Sequence, residues 1–272
     1  MMILKLDHVV IAGSTLAPLE AAFAGAGLST QYGGPHSNGV THMALLGFSD
    51  GSYLELISSL QAGLTDAVFW GAHITANGGP CAWAVQVARL AGLGMPVSQP
   101  AYYQRRRPDG VLLEWNLVIV GNQGAGAVLP FLITDITPRE WRVSPSDSVA
   151  GWLTGVAAVI IGVDSLAAAA QLFQRAYGWP GPTLKADPAF QANLAYFDGT
   201  PVALAAPLAA DDWLAQRLAH LGESPCAYLL QAANFEAACR HFGLTPSDPW
   251  FERPCAWFDP AKMHGLKLGI VA

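Results

Sequence analysis

Charged residues are scarce in this sequence, and acidic residues outnumber basic ones. Asp, Glu, Lys and Arg make up 12% of the 272 residues, and the formal net charge is −6. Electrostatic binding of nucleic acid requires a basic surface, so we expect no nucleic-acid partner. Hydrophobic residues make up 52% of the chain, which is enough for a large core and argues against extensive disorder.

Cysteine is also rare, and no Cys-x-x-Cys pair occurs among Cys81, Cys226, Cys239 and Cys255. Scattered cysteines of this kind are typical of reduced thiols in a cytosolic protein. No apolar stretch reaches the ~20 residues needed to cross a bilayer. Residues 1–7 lack the basic segment and long apolar stretch of a signal peptide. We therefore expect a cytoplasmic protein without membrane association.

A turn signal followed by an apolar run occurs three times. The Asp-Gly pairs at 50–51, 109–110 and 198–199 each precede such a run, which is typical of a hairpin leading into a strand. The first two runs carry a glutamate at the same offset, Glu55 and Glu114, and the third carries alanine there. A glutamate in an apolar run must be paired, hydrogen-bonded or metal-bound if it is buried.

These turns belong to a longer repeat with the order strand, helix and three-stranded meander. It occurs at 6–58 and again at 155–206, and weaker copies follow at 81–120 and 226–271. The predicted class is α+β, with four βαβββ modules in two pairs, each pair forming a cup-shaped mixed sheet around a cavity. The Pro- and Ser-rich segment 138–148 predicts a division into residues 1–148 and 149–272.

His8 and Glu55 lie in the first and last strands of the first module, within otherwise apolar runs. If those strands are close, the two side chains face a common centre. An imidazole and a carboxylate are ordinary ligands for Zn²⁺, Fe²⁺, Ni²⁺ or Mn²⁺. Without a metal they could act as a base and its orienting group. A buried His–Glu pair that only holds strands together is the alternative.

Five segments carry a resemblance to a known family. They are LDHVVIA (6–12), GGPHSNGVTHMALL (33–46), DGSYLELI (50–57), RRRPDGVLLEWNL (105–117) and LPFLITD (129–135). Together they resemble the glyoxalase-like proteins of the vicinal oxygen chelate superfamily, which also includes bleomycin resistance proteins and extradiol dioxygenases. The resemblance covers nearly all of the first half, and the second half at the level of the repeated module. It implies paired βαβββ modules and, in metal-dependent members, one divalent cation held by first and last strands.

The resemblance implies a set of metal ligands in the first half. His8 matches the first-strand ligand and Glu55 the last-strand ligand of the first module. Glu114 matches the last-strand position of the second module through the shared Asp-Gly spacing, and on strand alternation we expect it to face the cavity with Trp115 in the core. The first-strand position of that module falls near Trp83, which cannot bind a metal.

The second half has no ligands at the matching positions. These positions are Ala158, Ala203 and the neighbourhood of Gly269. The second pair of modules therefore resembles a copy whose site is degenerate.

Further residues are candidates for catalysis or substrate binding. His42 and Glu114 could complete the metal site or move a proton beside Glu55. His36 could contact a substrate at the cavity mouth, although an exposed loop histidine is the alternative. Arg105 and Arg107 could clamp a carboxylate or phosphate, or be solvated. The aromatic residues expected to line the cavity, or to belong to the core, are Tyr53, Trp83, Tyr102, Tyr103 and Trp115.

Three functions are consistent with these features. The first is a divalent-metal-dependent lyase, isomerase or dioxygenase acting on a small oxygenated molecule, with no nucleotide cofactor. The second is a metal-free protein that binds or sequesters a small molecule in the same cavity, and the third is a role in assembly alone. The hydrophobic excess is consistent with a homodimer or with a monomer that has a large core.

Overall fold

The computed structural model describes residues 4–61, 63, 68–87, 95–122 and 124–272. The first half contains the strands β1 (Lys5–Ala12), β2 (Gln31–Pro35), β3 (Thr41–Gly47), β4 (Tyr53–Ser59), β5 (Gly79–Gln86), β6 (Ala101–Arg106), β7 (Leu112–Ile119) and β8 (Phe131–Asp135). Its helices are α1 (Leu16–Gly25), α2 (Gly71–Thr75) and α3 (Arg139–Arg142), and a 3-10 turn follows at Asp147–Val149.

The second half repeats this order. Its strands are β9 (Leu153–Gly162), β10 (Thr183–Asp187), β11 (Ala192–Tyr196), β12 (Val202–Pro207), β13 (Ser224–Ala232), β14 (Pro246–Trp250), β15 (Arg253–Trp257) and β16 (Leu268–Val271). Its helices are α4 (Leu166–Tyr177), α5 (Trp213–Leu221) and α6 (Phe235–Phe242).

The strands form two mixed sheets of eight with the same topology. Their orders are β2-β3-β4-β1-β5-β8-β7-β6 and β10-β11-β12-β9-β13-β16-β15-β14. In each module the fourth strand runs parallel to the first, as β4 does beside β1 and β8 beside β5. The prediction of an α+β fold with four βαβββ modules in two pairs is confirmed. In the second module the sequence predicts a short Gly-rich stretch after β5 in place of a helix. This stretch falls partly on residues 88–94, which lie outside the described part.

The topology corrects one equivalence drawn from the Asp-Gly turns. The turn at 50–51 joins β3 to β4, the third and fourth strands of the first module. The turn at 109–110 joins β6 to β7, the second and third strands of the second module. Glu55 and Glu114 therefore occupy different strands of their modules, although their offsets from the turns are identical.

The two halves share one apolar core on the outer faces of their sheets. A single cluster of buried residues joins Val9 and Trp83 of the first half to Val159 and Tyr228 of the second. Burial of this much apolar surface is the main favourable term in folding. The division into residues 1–148 and 149–272 stays a prediction, and so do the homodimer and the cytoplasmic location. In the described residues, no helix combines the length and the apolar character needed to cross a bilayer.

The Tyr228 hydroxyl connects the halves directly. It donates to the carbonyl oxygens of Val10, at 2.9 Å, and Ala82, at 2.8 Å. The β1–β5 register shifts between Val10 and Ile11. Both carbonyls lie at this irregularity, where the ladder is locally disrupted.

We expect Tyr228→Phe to lower the free energy of unfolding by about 1–3 kcal/mol, because it leaves buried carbonyls without this donor. Urea denaturation measures the change. Tyr196→Phe is the matched control, since the Tyr196 hydroxyl makes no hydrogen bond within the described residues. Equal effects of the two substitutions would show that the buried hydroxyl does not connect the halves energetically.

Candidate active site in the first sheet

The concave face of the first sheet encloses a cavity of about 120 Å³. Its walls are mainly apolar and aromatic, and include Met43, Tyr53, Trp70, Tyr103, Trp115 and Phe131. Its polar lining includes His8, His36, Glu55 and Arg105. A few convergent polar groups within an apolar cavity are the usual composition of a small-molecule site.

His8 and Glu55 meet in this cavity because β1 and β4 are parallel neighbours. Val10 lies opposite Glu55 and His8 opposite Tyr53, so alternation places both side chains on the concave face. His8 is 3% exposed and Glu55 is 6% exposed. His8 Nε2 lies 3.8 Å from Glu55 Oε2, and the His8 ring stacks on Tyr53 with centroids 4.6 Å apart.

Asp7 holds the other side of the His8 ring. The β1–β5 register shifts between Leu6 and His8, which leaves Asp7 as an extra residue in β1, and such bulges redirect side chains. Asp7 Oδ1 lies 2.6 Å from His8 Nδ1. This contact fixes Nδ1 as the proton-bearing nitrogen facing Asp7 and leaves Nε2 directed at Glu55.

His36 approaches Glu55 from β2–β3. Its Nε2 lies 3.4 Å from Glu55 Oε1, and its Nδ1 lies 2.9 Å from Thr41 Oγ1. Asn38 accepts from the Thr41 backbone N–H and so fixes the turn that carries Thr41. The two oxygens of Glu55 therefore each face the Nε2 atom of a different histidine whose other ring nitrogen is already engaged.

Electrostatics keep Glu55 ionised although it is buried. Burial by itself raises the pKa of a carboxyl group. Here the interaction with His36 and the charges of His8 and Arg105 outweigh burial, so the pKa of Glu55 lies below its usual value. Burial likewise raises the pKa of the Tyr53 hydroxyl, which stays protonated.

Three arginines surround the same region, and two of them have carboxylate partners. Arg139 contacts Asp7 Oδ2 at 2.6 Å, and Arg142 pairs with Asp135. Arg105 is 5% exposed, and burial lowers its pKa. Its guanidinium donates to the backbone oxygens of Gly33, at 2.7 Å, and Arg142, at 3.0 Å. Among the described residues it has no carboxylate within 4 Å.

Glu114 is not part of the cavity, so the prediction that it faces inward is wrong. Trp115 lines the cavity, and alternation therefore directs Glu114 to the outer side of β7. There Glu114 Oε1 accepts a hydrogen bond of 2.6 Å from the Tyr102 hydroxyl. The fourth strand of the second module is β8, not β7. In β8, Phe131 lies opposite Ala84 of β5, and it so matches Glu55, which lies opposite Val10 of β1.

Three other predicted site residues also lie outside the cavity lining. His42 faces away from it, because Thr41 and Met43 take the concave positions of β3. His42 instead contacts Ser58 Oγ at 2.8 Å. Trp83 is fully buried in the core shared by the two halves. Arg107 lies beyond the end of β6, where it pairs with Asp109 at 2.6 Å and donates to the Trp141 backbone oxygen.

The second half has alanine where the first half has His8 and Glu55. Ala203 of β12 lies opposite Ile160 of β9, just as Glu55 lies opposite Val10. Ala158 precedes Ile160 by two residues, just as His8 precedes Val10. Both alanines are buried in the apolar cluster on the concave face of the second sheet.

Comparisons with known proteins agree with this architecture. The profile of the family described as Glyoxalase-like domain matches residues 6–178, which is more than half of the chain. The chain belongs to the glyoxalase-like domain family. A comparison with curated proteins gives no match.

Solved structures extend the likeness of this glyoxalase-like protein to its full length. A hypothetical protein from Staphylococcus aureus aligns over 98% of this chain and 99% of its own, with 12% identity and a TM-score of 0.64. Methylmalonyl-CoA epimerase from Mycobacterium tuberculosis aligns over 45% of this chain and 89% of its own, with 19% identity and a TM-score of 0.39. A Streptomyces coelicolor methylmalonyl-CoA epimerase in complex with 2-nitronate-propionyl-CoA aligns over 44% of this chain and 96% of its own, with 20% identity and a TM-score of 0.36. These likenesses concern the fold alone.

The donor set suits a divalent cation of the type that binds nitrogen and oxygen. In the described ranges, no three His, Cys, Asp or Glu residues stand together as a ready metal cluster. The donor types are nevertheless appropriate, since His8 Nε2 and Glu55 Oε2 face each other at 3.8 Å, and imidazole nitrogen and carboxylate oxygen are ordinary ligands of such cations. Metal-binding histidines commonly have their second nitrogen held by a carboxylate or hydroxyl group, as Asp7 and Thr41 hold His8 and His36 here.

The sequence did not identify Asp7, Arg139 and Arg142 as residues of the candidate site. Asp7 directly precedes His8, and a carboxylate beside a candidate histidine is a signal that was available. The two arginines come from a short helix more than 130 positions further along the chain. Nothing in their local sequence indicates the pairing.

We expect Asp7→Asn to lower the free energy of unfolding at pH 7. Burial raises the pKa of Asp7, but the hydrogen bond to His8 and the charges of His8 and Arg139 outweigh it and lower the pKa from 3.8 to about 2. At about 1.4 kcal/mol per unit this corresponds to about 2 kcal/mol. Because the folded-state pKa is depressed, the contribution is complete above about pH 4 and is lost as pH falls through about 2.

Urea denaturation of the wild type and of Asp7→Asn, at several pH values and with EDTA present, measures this pH dependence. The difference between their free energies of unfolding should become smaller as the pH is lowered. The exposed Asp211→Asn provides the control and should show no such trend. A wild-type advantage that is independent of pH would contradict the assigned role of the Asp7 carboxylate.

Proposed function

We propose that this glyoxalase-like protein is a divalent-metal-dependent enzyme that acts on a small oxygenated molecule in the cavity of its first sheet. The reaction belongs to the lyase, isomerase or dioxygenase classes. The observation that carries the proposal is the convergence of two histidine Nε2 atoms on the two oxygens of one buried carboxylate. Largely apolar walls surround this group, and a low-polarity environment strengthens electrostatic interactions within it.

His8 and Glu55 are the proposed cation-binding residues. Asp7 orients the His8 ring, and the depressed pKa of Glu55 keeps its carboxylate available. A divalent cation bound there would act as a Lewis acid that polarises a carbonyl or hydroxyl oxygen. Zn²⁺, Ni²⁺, Mn²⁺ and Fe²⁺ all accept this donor set.

His36 is the proposed proton-transfer residue, in place of His42 and Glu114. Its Nδ1 is held by Thr41 and its Nε2 is directed into the cavity toward Glu55 Oε1. An imidazole held in this way is positioned to pass a proton to or from a ligand in the cavity. Tyr53 and Phe131 pack on His8 and exclude water from this region.

Arg105 is the proposed substrate-binding cation. A buried guanidinium that lacks a carboxylate partner within the described residues favours an anionic ligand, since Arg binds carboxylate and phosphate with paired hydrogen bonds. The aromatic walls would contact the apolar part of that ligand. This combination also supports the metal-free alternative, in which the same cavity binds a small anion without a reaction.

We expect the protein to bind about one equivalent of Zn²⁺, Ni²⁺ or Mn²⁺, and Glu55→Gln and His8→Ala to weaken binding at least tenfold, because each removes a donor. Isothermal titration and elemental analysis after dialysis measure the stoichiometry. Glu114→Gln is the matched control, because it makes the same chemical change outside the cavity and should leave binding intact. Sub-stoichiometric metal in the wild type, or equal losses in all three variants, would favour metal-free binding.

We expect Arg105→Met to abolish recognition of an anionic ligand, with 2-oxo-4-methylpentanoate as the probe. The wild type should be stabilised against heating by this probe, and Arg105→Met should lose that shift. Arg107→Met removes an equal charge outside the cavity and should retain it. If Arg107→Met loses the shift and Arg105→Met keeps it, the anion binds at the surface instead.

A further inference from the structure

The second sheet also contains a cavity, of about 230 Å³. It lies in the half that has lost the His8 and Glu55 positions. Its lining includes Phe190, Trp250, Trp257 and Lys267. An apolar cavity of about 150 Å³ can hold a benzene ring, so this one is large enough for a small aromatic ligand.

Lys267 is a cation surrounded by aromatic rings. Its Nζ lies 4.5 Å from the centroid of Trp213 and 5.4 Å from that of Phe190. Among the described residues it makes no ion pair and no side-chain hydrogen bond. Burial lowers the pKa of this ammonium. Lys267 is half-buried, and a partly desolvated ammonium without an ion pair favours an anionic ligand.

Trp250, which contributes to the cavity lining, also has a side-chain donor without a partner in the described part of the chain. Trp250 is 3% exposed, and its buried indole N–H has no acceptor within the described residues. Most buried polar groups in folded proteins are hydrogen-bonded, so such a group requires an explanation. Trp250 packs edge-to-face on Phe190, with centroids 5.7 Å apart, and on Trp257, with centroids 6.2 Å apart.

The two carboxylates that line the cavity do not supply the missing counter-ion. Asp187 pairs with Lys185 at 3.2 Å and accepts from the Phe190 backbone N–H at 2.9 Å. Asp248 is exposed. Neither lies within 4 Å of the Lys267 ammonium. Their negative charges oppose a multiply charged anion more strongly than a monoanion.

We infer that this second cavity binds a small aromatic monocarboxylate. The carboxylate pairs with the Lys267 ammonium, and the ring lies among Phe190, Trp250 and Trp257. The site is separate from the proposed metal-dependent site and uses none of its residues. In this account the second half has exchanged metal ligands for an aromatic binding site.

Titration with 4-fluorobenzoate, followed by fluorine NMR and by the indole N–H signals of the protein, tests this inference. We expect saturable binding of one equivalent that shifts the Trp250 and Trp257 signals, which Trp→Phe variants assign. Lys267→Met should lower the affinity at least tenfold, as expected for loss of a charged hydrogen bond. Lys267→Arg keeps the charge and should retain binding. Lys262→Met removes an exposed lysine nearby in sequence and is the matched control.

Neutral 4-fluorobenzamide tests the same charge requirement in the unmodified protein and should bind at least tenfold more weakly. Arg105→Met, in the first cavity, should leave the Trp250 and Trp257 shifts unchanged. The inference is overturned by absence of binding, by equal affinity for acid and amide, or by benzoate shifts that disappear in Arg105→Met but persist in Lys267→Met. None of these results depends on whether the first cavity binds a metal.

Discussion

The geometry of the first cavity depends on one buried carboxylate. Asp7 accepts from His8 through one oxygen and pairs with Arg139 through the other. Arg139 also donates to the backbone oxygens of Asp7 and Gly51, and so joins β1, the turn before β4 and α3. Burying an ion pair carries a large desolvation cost, which is recovered only where geometry and further hydrogen bonds are good. Here the same contacts that offset that cost also orient His8 toward Glu55.

The sequence was sufficient to predict the fold and the centre of the candidate site. The repeat of strand, helix and meander identified four modules, and the apolar runs around His8 and Glu55 marked both as candidates that would converge if their strands were close. The structure supplies that condition, because β1 and β4 are parallel neighbours. The assignment of Glu114 failed for a specific physical reason. An Asp-Gly turn indicates a hairpin, but it does not indicate which hairpin of the module, and a change of strand moves the following glutamate to another face. The roles of Asp7 and Arg139 were not predicted. Asp7 lies at a bulge and Arg139 forms a long-range ion pair with it, and both features depend on tertiary structure.

The two halves share topology and a common core but have diverged in their concave faces. The first sheet places imidazole, carboxylate and guanidinium groups in an apolar cavity, whereas the second places aromatic rings around a lysine. The outer faces, by contrast, contribute to one continuous apolar cluster. Because the shared core supports both sheets, each concave face can change its chemistry without altering the architecture. A fold of this kind does not by itself define a reaction, and the residues within each cavity must do so.

Zinc-edge anomalous diffraction from crystals grown with Zn²⁺ tests the central claim most directly. The account predicts one strong peak in the first cavity, about 2.0–2.2 Å from His8 Nε2 and from a Glu55 oxygen. It also predicts no peak between Ala158 and Ala203 in the second sheet. A cavity without anomalous density in zinc-loaded crystals, or zinc bound only at other positions, would contradict the assignment of His8 and Glu55 as a cation-binding pair.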